Sequence, residues 1–289
     1  MSILTFLLLF MLFKKRQIAL IIAFIIATIC TFSFITPMCL EYAPIFFLML
    51  IFSIISLFLE KKGNQSLYKM FFIAGILTAF FDFLTNELVV VTVPLLIILT
   101  IRKNEKRIDG FRKTLLFVFI SLLLFTFGYV ATFVAKWLLA SVVLHINAFA
   151  LSIKNMLFRI NGASGINEWC IQTCNALTLN SYMLLPLYLL RKYIFVKNMD
   201  IIFGITVLLF ILFVCIFFRK RNNGKYIYII LLLALLPYAR YILLSGHSEY
   251  HFFFTHRAQF VTVMVVILII TEVIKEIKNK IYDKRIVKK

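Results

Sequence analysis

The feature that most limits the fold is a series of apolar runs separated by short basic clusters. Residues 42–59, for example, contain no charged residue, and this apolar run ends at Glu60-Lys61-Lys62. A helix needs about 20 apolar residues, in a range of roughly 17–25, to cross a bilayer. Hydrophobic residues make up 63% of the 289, against roughly 45–50% in soluble domains. The sequence therefore predicts an all-α fold, a polytopic transmembrane helical bundle that faces lipid.

The apolar runs predict about nine crossings. Residues 69–100 have a basic cluster near each end and polar residues near their middle, so this stretch must cross twice or dip in and return. We interpret residues 1–289 as a single membrane domain. The first run begins at Met1 and is short, which predicts either a short tilted helix or the C-terminal part of a longer protein. The remaining runs are residues 1–13, 18–36, 42–59, 114–135, 201–218, 226–244 and 258–274.

The basic clusters predict the orientation, because cytoplasmic loops carry an excess of Lys and Arg. This rule puts the N-terminus outside and the C-terminus in the cytoplasm. The formal net charge is +19, yet the basic residues lie between apolar runs, so no nucleic-acid partner is predicted. The clusters placed inside are residues 14–16, 61–62, 102–113 and 219–225 and the tail after Lys275.

Residues 137–200 form the longest predicted outer segment. Residues 137–160 mix apolar and polar positions, which is typical of amphipathic helices at a membrane surface. Residues 183–196 are similar, or form a broken span. Cys170 and Cys174 either remain thiols or form a disulfide, which a four-residue spacing on a helix would strain.

Two polar groups lie where apolar runs meet the predicted outer face, and ionisable residues in such places are costly and usually functional. The first contains Asp82 and Glu87. Its carboxylates either act as a base or cation ligand, or Asp82 caps the next helix. The second is Lys136 beside Trp137. Its cation either holds a lipid phosphate or snorkels at an aromatic belt.

A third and larger polar group spans residues 240–257. His247 and His251 are four residues apart, so on a helix they would share one face. They would then bind a metal or donate to a phosphate. The pair alone defines no metal site, so no metal ligand is assigned, and a divalent cation stays an open alternative. A hydrated loop with internally paired charges is the other interpretation. The ionisable residues of the group are Arg240, His247, Glu249, His251, His256 and Arg257.

Three stretches carry a resemblance to known proteins: FDFLTNELVVVTVPLL (81–96), FGYVATFVAKWLLAS (127–141) and HSEYHFFFTHR (247–257). In this order they resemble an uncharacterised family of polytopic membrane proteins from Gram-positive bacteria. The layout of that family looks like the C-type glycosyltransferases (GT-C), which transfer sugars from polyprenyl-phosphate donors at the outer membrane face. The resemblance implies a GT-C-like glycosyltransferase, or a fragment of one, in cell-envelope glycan assembly. Membrane lipid and a polyprenyl-phosphate-linked sugar would be its partners.

This resemblance implies roles for the polar groups. Asp82 or Glu249 is the candidate catalytic base for an acceptor hydroxyl. The cations among the substrate-binding residues would neutralise the donor phosphate through charge-assisted hydrogen bonds. We expect Asp82, Lys136 and Arg257 to line one outward-facing cavity. The candidate substrate-binding residues are Glu87, Lys136, Arg240, His247, His251, His256 and Arg257.

A transporter or flippase of lipid-linked or anionic substrates is the main rival function. Transporters place polar sites near the middle of the membrane and often contain inverted repeats. The polar groups of this sequence cluster instead at one predicted face. A non-catalytic membrane scaffold is the third alternative.

Overall fold

The computed structural model describes residues 1–38, 43–81, 86–107, 110–161, 199–219, 224–244 and 255–286. The predicted all-α class is confirmed, since these residues form α-helices and short 3₁₀-helices and no strand. The 3₁₀-helices are Ser33–Met38, Glu60–Lys62 and His256–Gln259. The α-helices are α1 (Ser2–Lys14), α2 (Ile18–Cys30), α3 (Ala43–Leu59), α4 (Asn64–Phe81), α5 (Glu87–Asn104), α6 (Phe111–Leu144), α7 (Ala148–Asn161), α8 (Met199–Phe218), α9 (Gly224–Leu243) and α10 (Phe260–Ile286).

Two of the described helical segments are long and apolar enough to cross a membrane. They are Ala43–Lys62 and Phe111–Leu144, each with a mean hydropathy of 2.3. Large apolar side chains also lie exposed on the outer surface of the bundle, among them Phe119, Phe127 and Ile216. Soluble monomers rarely expose apolar patches of more than a few hundred Å². These features favour membrane association, but two segments do not fix the number of crossings.

Helix α5 is the centre of the bundle. Its aliphatic residues between Val89 and Ile101 are fully buried, on every side of the helix. A helix that is apolar all round has to be buried, and α5 packs against α3, α4, α9 and α10. The hydroxyl of Thr92 donates to the Leu88 carbonyl of the same helix, 2.7 Å away. The middle of α5 is therefore a fully buried, apolar core.

The stretch of residues 69–100 is divided between two antiparallel helices. Helix α4 ends at Phe81 and α5 begins at Glu87. At the opposite end, Arg102 Nη2 donates to Asn64 Oδ1 over 2.8 Å, which joins the end of α5 to the start of α4. We call the end with Phe81 and Glu87 the upper end of the bundle, and the end with Asn64 and Arg102 the lower end.

Helices α4 and α6 run parallel and approach each other closely at two glycines. A Cβ added to Gly75 would lie 2.1 Å from the Phe125 carbonyl oxygen. One added to Gly128 would lie 2.4 Å from the carbonyl oxygen of Phe72. Small residues allow helix backbones to approach in this way, as in many membrane bundles. The contact holds α6 against α4.

Helix α6 differs from the prediction. We predicted a span over residues 114–135 that Lys136 would end, followed by an outer segment, but α6 continues without a break to Leu144. The physical reason is that the Lys136 ammonium finds acceptors on α4 and needs no chain break to reach water. At 1.5 Å per residue, the 34 residues extend about 51 Å. His145 then adopts a left-handed conformation, with φ of 53°, before α7.

Helix α7 follows α6 after a connection of three residues, 145–147. The Ala148 amide donates to Ser141 Oγ over 3.2 Å, which fixes this turn. The predicted amphipathic helices of residues 137–160 thus become the last turns of α6 and a separate helix α7. The predictions for Cys170, Cys174 and residues 183–196 lie outside the described residues.

The predicted span of residues 18–36 is also broken. Helix α2 ends at Cys30, and Phe32 adopts a positive φ of 51° before the 3₁₀-helix Ser33–Met38. The Thr31 hydroxyl donates to the Ala27 carbonyl and pairs with Ser33 Oγ, at 2.7 and 2.6 Å. These local bonds give the backbone an alternative to a longer helix.

The lower end is held by buried carboxylates that the sequence analysis did not pair. Glu60 is 2% exposed, and its Oε1 lies 2.6 Å from Arg107 Nη2. Burial opposes the charge on Arg107, but Glu105 and Glu60 outweigh it and raise its pKa. Lys103 likewise pairs with the buried Glu272 of α10. The sequence signal for these two pairs was an acidic residue near the end of an apolar run. Glu60 follows residues 42–59, and Glu272 lies near the end of residues 258–274.

Candidate functional site

An ion pair joins two helices at the upper end of the bundle. Arg240 Nε donates to Glu87 Oε1 over 2.7 Å, across 153 residues of sequence. The side chains are only 4% and 11% exposed. The sequence analysis named both residues as candidate substrate contacts and did not predict that they pair.

The local structure explains why these charges lie where they do. Glu87 is in the first turn of α5, and Arg240 is in the last turn of α9. An acid near a helix N-terminus and a base near a C-terminus each complement the helix dipole. Glu87 Oε2 is buried, and among the described residues it has no hydrogen-bond partner. The carboxylate is therefore held at one oxygen and keeps acceptor capacity at the other.

A second contact brings the last polar group to the same end. The Tyr241 hydroxyl donates to the Thr255 carbonyl over 2.9 Å, and both residues are buried. This bond ties the end of α9 to the 3₁₀-helix His256–Gln259, which also contacts α5. His256 and Arg257 are half-buried at this position. The structure thus gathers Glu87, Arg240, His256 and Arg257 from three separate elements.

Lys136 binds the C-terminal end of α4. Its Nζ donates to the Ala79 carbonyl over 2.7 Å and lies 3.4 Å from the Phe80 carbonyl oxygen. The ammonium also lies over the rings of Phe80 and Phe133, 5.0 and 5.5 Å from their centroids. A cation here satisfies helix carbonyls that lack intrahelical partners. Lys136 is therefore held against the last turn of α4.

A cavity of about 540 Å³ lies between α6, α7 and the end of α9. This volume falls within the usual size of ligand sites, roughly 300–1,000 Å³. Its walls are mainly apolar and aromatic, with a few polar groups. Neither Lys136 nor Arg257 is among its described lining residues. The lining is Tyr129, Val130, Phe133, Trp137, Ser152, Asn155, Met156 and Leu244.

The cavity adjoins the polar residues of the upper end. Leu244 lies one helical turn beyond Arg240, and its amide donates to the Arg240 carbonyl. On α6, Lys136 lies between the lining residues Phe133 and Trp137. An apolar cavity therefore borders an end of the bundle that carries several cations.

Several candidate residues lie outside the part of the chain that the structure describes: Asp82, His247, Glu249 and His251. Both candidate catalytic bases are in this group, and their roles stay predictions. Within the described ranges, no group of three His, Cys, Asp or Glu side chains could hold a metal ion. No protein family, curated protein or solved structure matches the chain. The site itself has to carry the functional argument.

Proposed function

We propose that the chain is a multi-pass membrane protein that binds a polyprenyl-phosphate-linked sugar at its upper end. Its activity would be that of a GT-C-like glycosyltransferase in cell-envelope glycan assembly. The observation that carries this proposal is the apolar cavity beside the cationic upper end. A lipid-linked donor needs these two surfaces side by side, one for its isoprenoid chain and one for its phosphate. Anion recognition by Lys and Arg side chains would provide the second.

The arrangement of charge supports the proposed orientation. Contacts at the lower end join residues of four predicted cytoplasmic regions. Asn104 donates to Gln17, next to the cluster at 14–16, over 2.6 Å. Arg102 and Arg107 contact Glu60, next to the cluster at 61–62, and Glu272 binds Lys275. The proposal therefore takes the lower end as cytoplasmic, the upper end as outer, and about nine crossings.

Cysteine labelling from outside tests this orientation. A Cys at Ser248 should react with a membrane-impermeant maleimide in intact cells, whereas a Cys at Asn104 or Asn222 should react only after permeabilisation. The reason is that the last two positions lie within or beside basic clusters. Each variant is made in a background in which the native cysteines are replaced. Reaction at Asn222 in intact cells would reverse the proposed orientation.

Within this proposal, three cations have different roles. Arg240 and Lys136 bind protein groups, the Glu87 carboxylate and the α4 carbonyls. They would hold the site in shape and add to its positive potential. Arg257 is half-buried on the 3₁₀-helix, and we assign it the direct contact with the donor phosphate. Asp82 or Glu249 would take the proton from the acceptor hydroxyl.

Replacing Arg257 should weaken donor binding. A desolvated charged hydrogen bond contributes about 1.5–3 kcal/mol, so Arg257→Ala should raise the donor Kd roughly ten- to hundred-fold. Arg257→Lys should restore only part of the affinity, because an ammonium lacks the planar fork of a guanidinium. The measurement is binding of a labelled polyprenyl-phosphate sugar to the purified full chain. Lys61→Ala, an exposed cation at the lower end, is the matched control. If Arg257→Ala binds the donor with wild-type affinity, Arg257 does not bind the donor phosphate.

The same donor distinguishes binding from transfer. Asp82→Asn keeps the size of the side chain and removes its basicity, so it should spare binding and abolish transfer if Asp82 is the base. Glu249→Gln tests the other candidate in the same way. If both variants transfer the sugar at the wild-type rate, neither carboxylate is the catalytic base.

The core of the bundle favours this activity over transport. A transporter of anionic substrates needs polar groups near the middle of the membrane. The middle of α5 is apolar, and its Thr92 hydroxyl is bonded within the helix. Among the described residues, the ionic groups lie at the two ends of α5 instead.

A further inference from the structure

Three aromatic residues of α6 form one wall of the cavity. Tyr129, Phe133 and Trp137 follow one another at intervals of four residues, so their side chains lie on the same side of the helix. Neighbouring ring centroids are 5.1 and 6.2 Å apart, and all three residues are half-buried. We call these three side chains the aromatic ladder. They line the cavity along about 12 Å of the helix.

The two ends of the aromatic ladder differ. Phe125, one turn below Tyr129, stacks on it with ring centroids 6.3 Å apart. Phe125 is only 4% exposed and is not among the described lining residues of the cavity. At the other end, beside Trp137, the Lys136 ammonium lies 5.5 Å from the centroid of Phe133. A phosphate attached to a chain in the cavity would therefore lie at the Trp137 end, with the chain running toward Tyr129.

The opposite wall of the cavity is more polar. Ser152 and Asn155 are its polar side chains, and both are on α7. Phe149 of α7 packs edge-on against Trp137, with ring centroids 5.8 Å apart, and holds the two helices together at the upper end of the ladder. A hydrocarbon chain in this cavity would therefore find most of its apolar contacts on the α6 side.

A row of rings with this spacing suits a prenyl chain better than a straight acyl chain. Each step of four residues along the ladder rises about 6 Å, and a prenyl chain repeats a flat double bond and a methyl branch at a similar interval. Flat groups that pack on an aromatic face gain more than the burial of apolar area alone provides. A straight saturated chain has no flat group to place on each ring.

We propose that the aromatic ladder binds about three isoprene units next to the phosphate of the donor, one on each ring, and so selects a prenyl chain over a straight acyl chain. This inference rests on the proposed function for the position of the phosphate. It adds the residues that recognise the chain and a limit to the length that they recognise. The limit follows from the burial of Phe125, because a further unit finds no open ring below Tyr129.

Prenyl phosphates of increasing length test the limit. Geranyl, farnesyl and geranylgeranyl phosphate each add one isoprene unit, and each is used to displace labelled farnesyl phosphate from the purified full chain in nonionic detergent. Every Kd is corrected for partitioning of the same phosphate into empty micelles. The corrected affinity should rise from geranyl to farnesyl phosphate and then stay constant. A rise that continues by the same step to geranylgeranyl phosphate would overturn the proposal.

Dodecyl phosphate tests the selection of the chain, because its main chain is as long as that of farnesyl phosphate but has no branch or double bond. Wild-type protein should bind it more weakly than farnesyl phosphate. Phe133→Leu should raise the Kd of farnesyl phosphate roughly two- to tenfold, the range for the loss of one aromatic contact, and change that of dodecyl phosphate little. Phe119→Leu, at an exposed position of the same helix outside the described lining, is the matched control. Equal affinity of the wild type for both phosphates would show that the ladder does not select the chain.

Tyr129→Leu tests where the chain lies, since Tyr129 is the ring furthest from the cationic end. It should weaken farnesyl phosphate by a similar factor and leave geranyl phosphate unchanged, because the shorter chain does not reach this ring. Tyr129→Phe keeps the ring and should bind both phosphates as the wild type does. Equal weakening of both phosphates in Tyr129→Leu would indicate a purely structural role and contradict the assignment.

The same assay distinguishes a failure of the ladder from a failure of the proposed function. If Arg257→Ala weakens prenyl phosphates but Phe133→Leu and Tyr129→Leu do not, the phosphate site stands and the ladder is wrong. If the two ladder variants weaken them but Arg257→Ala does not, the ladder stands and the proposed phosphate contact is wrong. If no prenyl phosphate binds to the folded protein, both proposals are wrong.

Discussion

Removing one partner of the buried ion pair between Glu87 and Arg240 is expected to destabilise the fold by about 3–5 kcal/mol, because it leaves the other charge buried without its counterion. The side chains are 11% and 4% exposed, and they join α5 to α9 over 153 residues. Water cannot replace the lost partner in such a place. Glu87→Gln and Arg240→Met should each show this loss in unfolding of the purified protein in detergent.

The double variant distinguishes the loss of the ion pair from a general destabilising effect of each substitution. Glu87→Gln combined with Arg240→Met removes both charges, so its loss should be clearly smaller than the sum of the two single losses. Glu105→Gln is the matched control, because Glu105 and Arg107 form a solvent-exposed ion pair at the lower end. An exposed ion pair contributes about 0–1 kcal/mol. Additive losses in the double variant, or single losses as small as the control, would contradict the predicted role.

Adding one methyl group at Gly75 or Gly128 is expected to separate α4 from α6. The new Cβ would lie 2.1 or 2.4 Å from a backbone oxygen of the facing helix, so no side-chain rotation relieves the clash. Overpacking costs about 1–3 kcal/mol, occasionally more, and we expect the upper part of this range for Gly75→Ala. Alanine also favours a helix over glycine by about 1 kcal/mol, so the measured loss is net of that gain.

Unfolding in detergent again measures this loss, and a third glycine provides the control. Gly110 precedes α6, and a Cβ there would meet no atom within 4 Å. Gly110→Ala should therefore change stability little. Equal effects of Gly110→Ala and Gly75→Ala would show that the close approach of the helices is not the cause.

The sequence was a good guide to helices and a poor guide to their ends. Apolar runs bounded by basic clusters predicted the helices, because an apolar segment can only satisfy its backbone in lipid by forming one. The extent of α6 was missed because a lone lysine in an apolar run suggests a boundary. Whether Lys136 reaches water or a carbonyl depends on α4, which no local pattern encodes.

The sequence predicted which residues belong to the candidate site, but not which of them form an ion pair. Sequence position alone placed Glu87, Arg240 and Arg257 at one end, and the structure brings these residues together. The ion pair itself joins positions 153 residues apart, and periodicity carries no information on such distances. The residues that line the cavity were not predicted for the same reason, since they come from α6, α7 and Leu244 at the end of α9.

If α6 crosses a bilayer, as the proposed function requires, its length affects how the protein sits in the membrane. The helix extends about 51 Å, and its only charged residue beyond Lys113 is Lys136, whereas a typical hydrocarbon core is about 30 Å thick. A hydrophobic stretch longer than the core is accommodated by tilting or by thickening the bilayer around it. Because Gly75 and Gly128 lock α6 to α4, tilting one would tilt both. Acyl-chain length would then set the inclination of the helix pair and the height at which the cavity meets the headgroups.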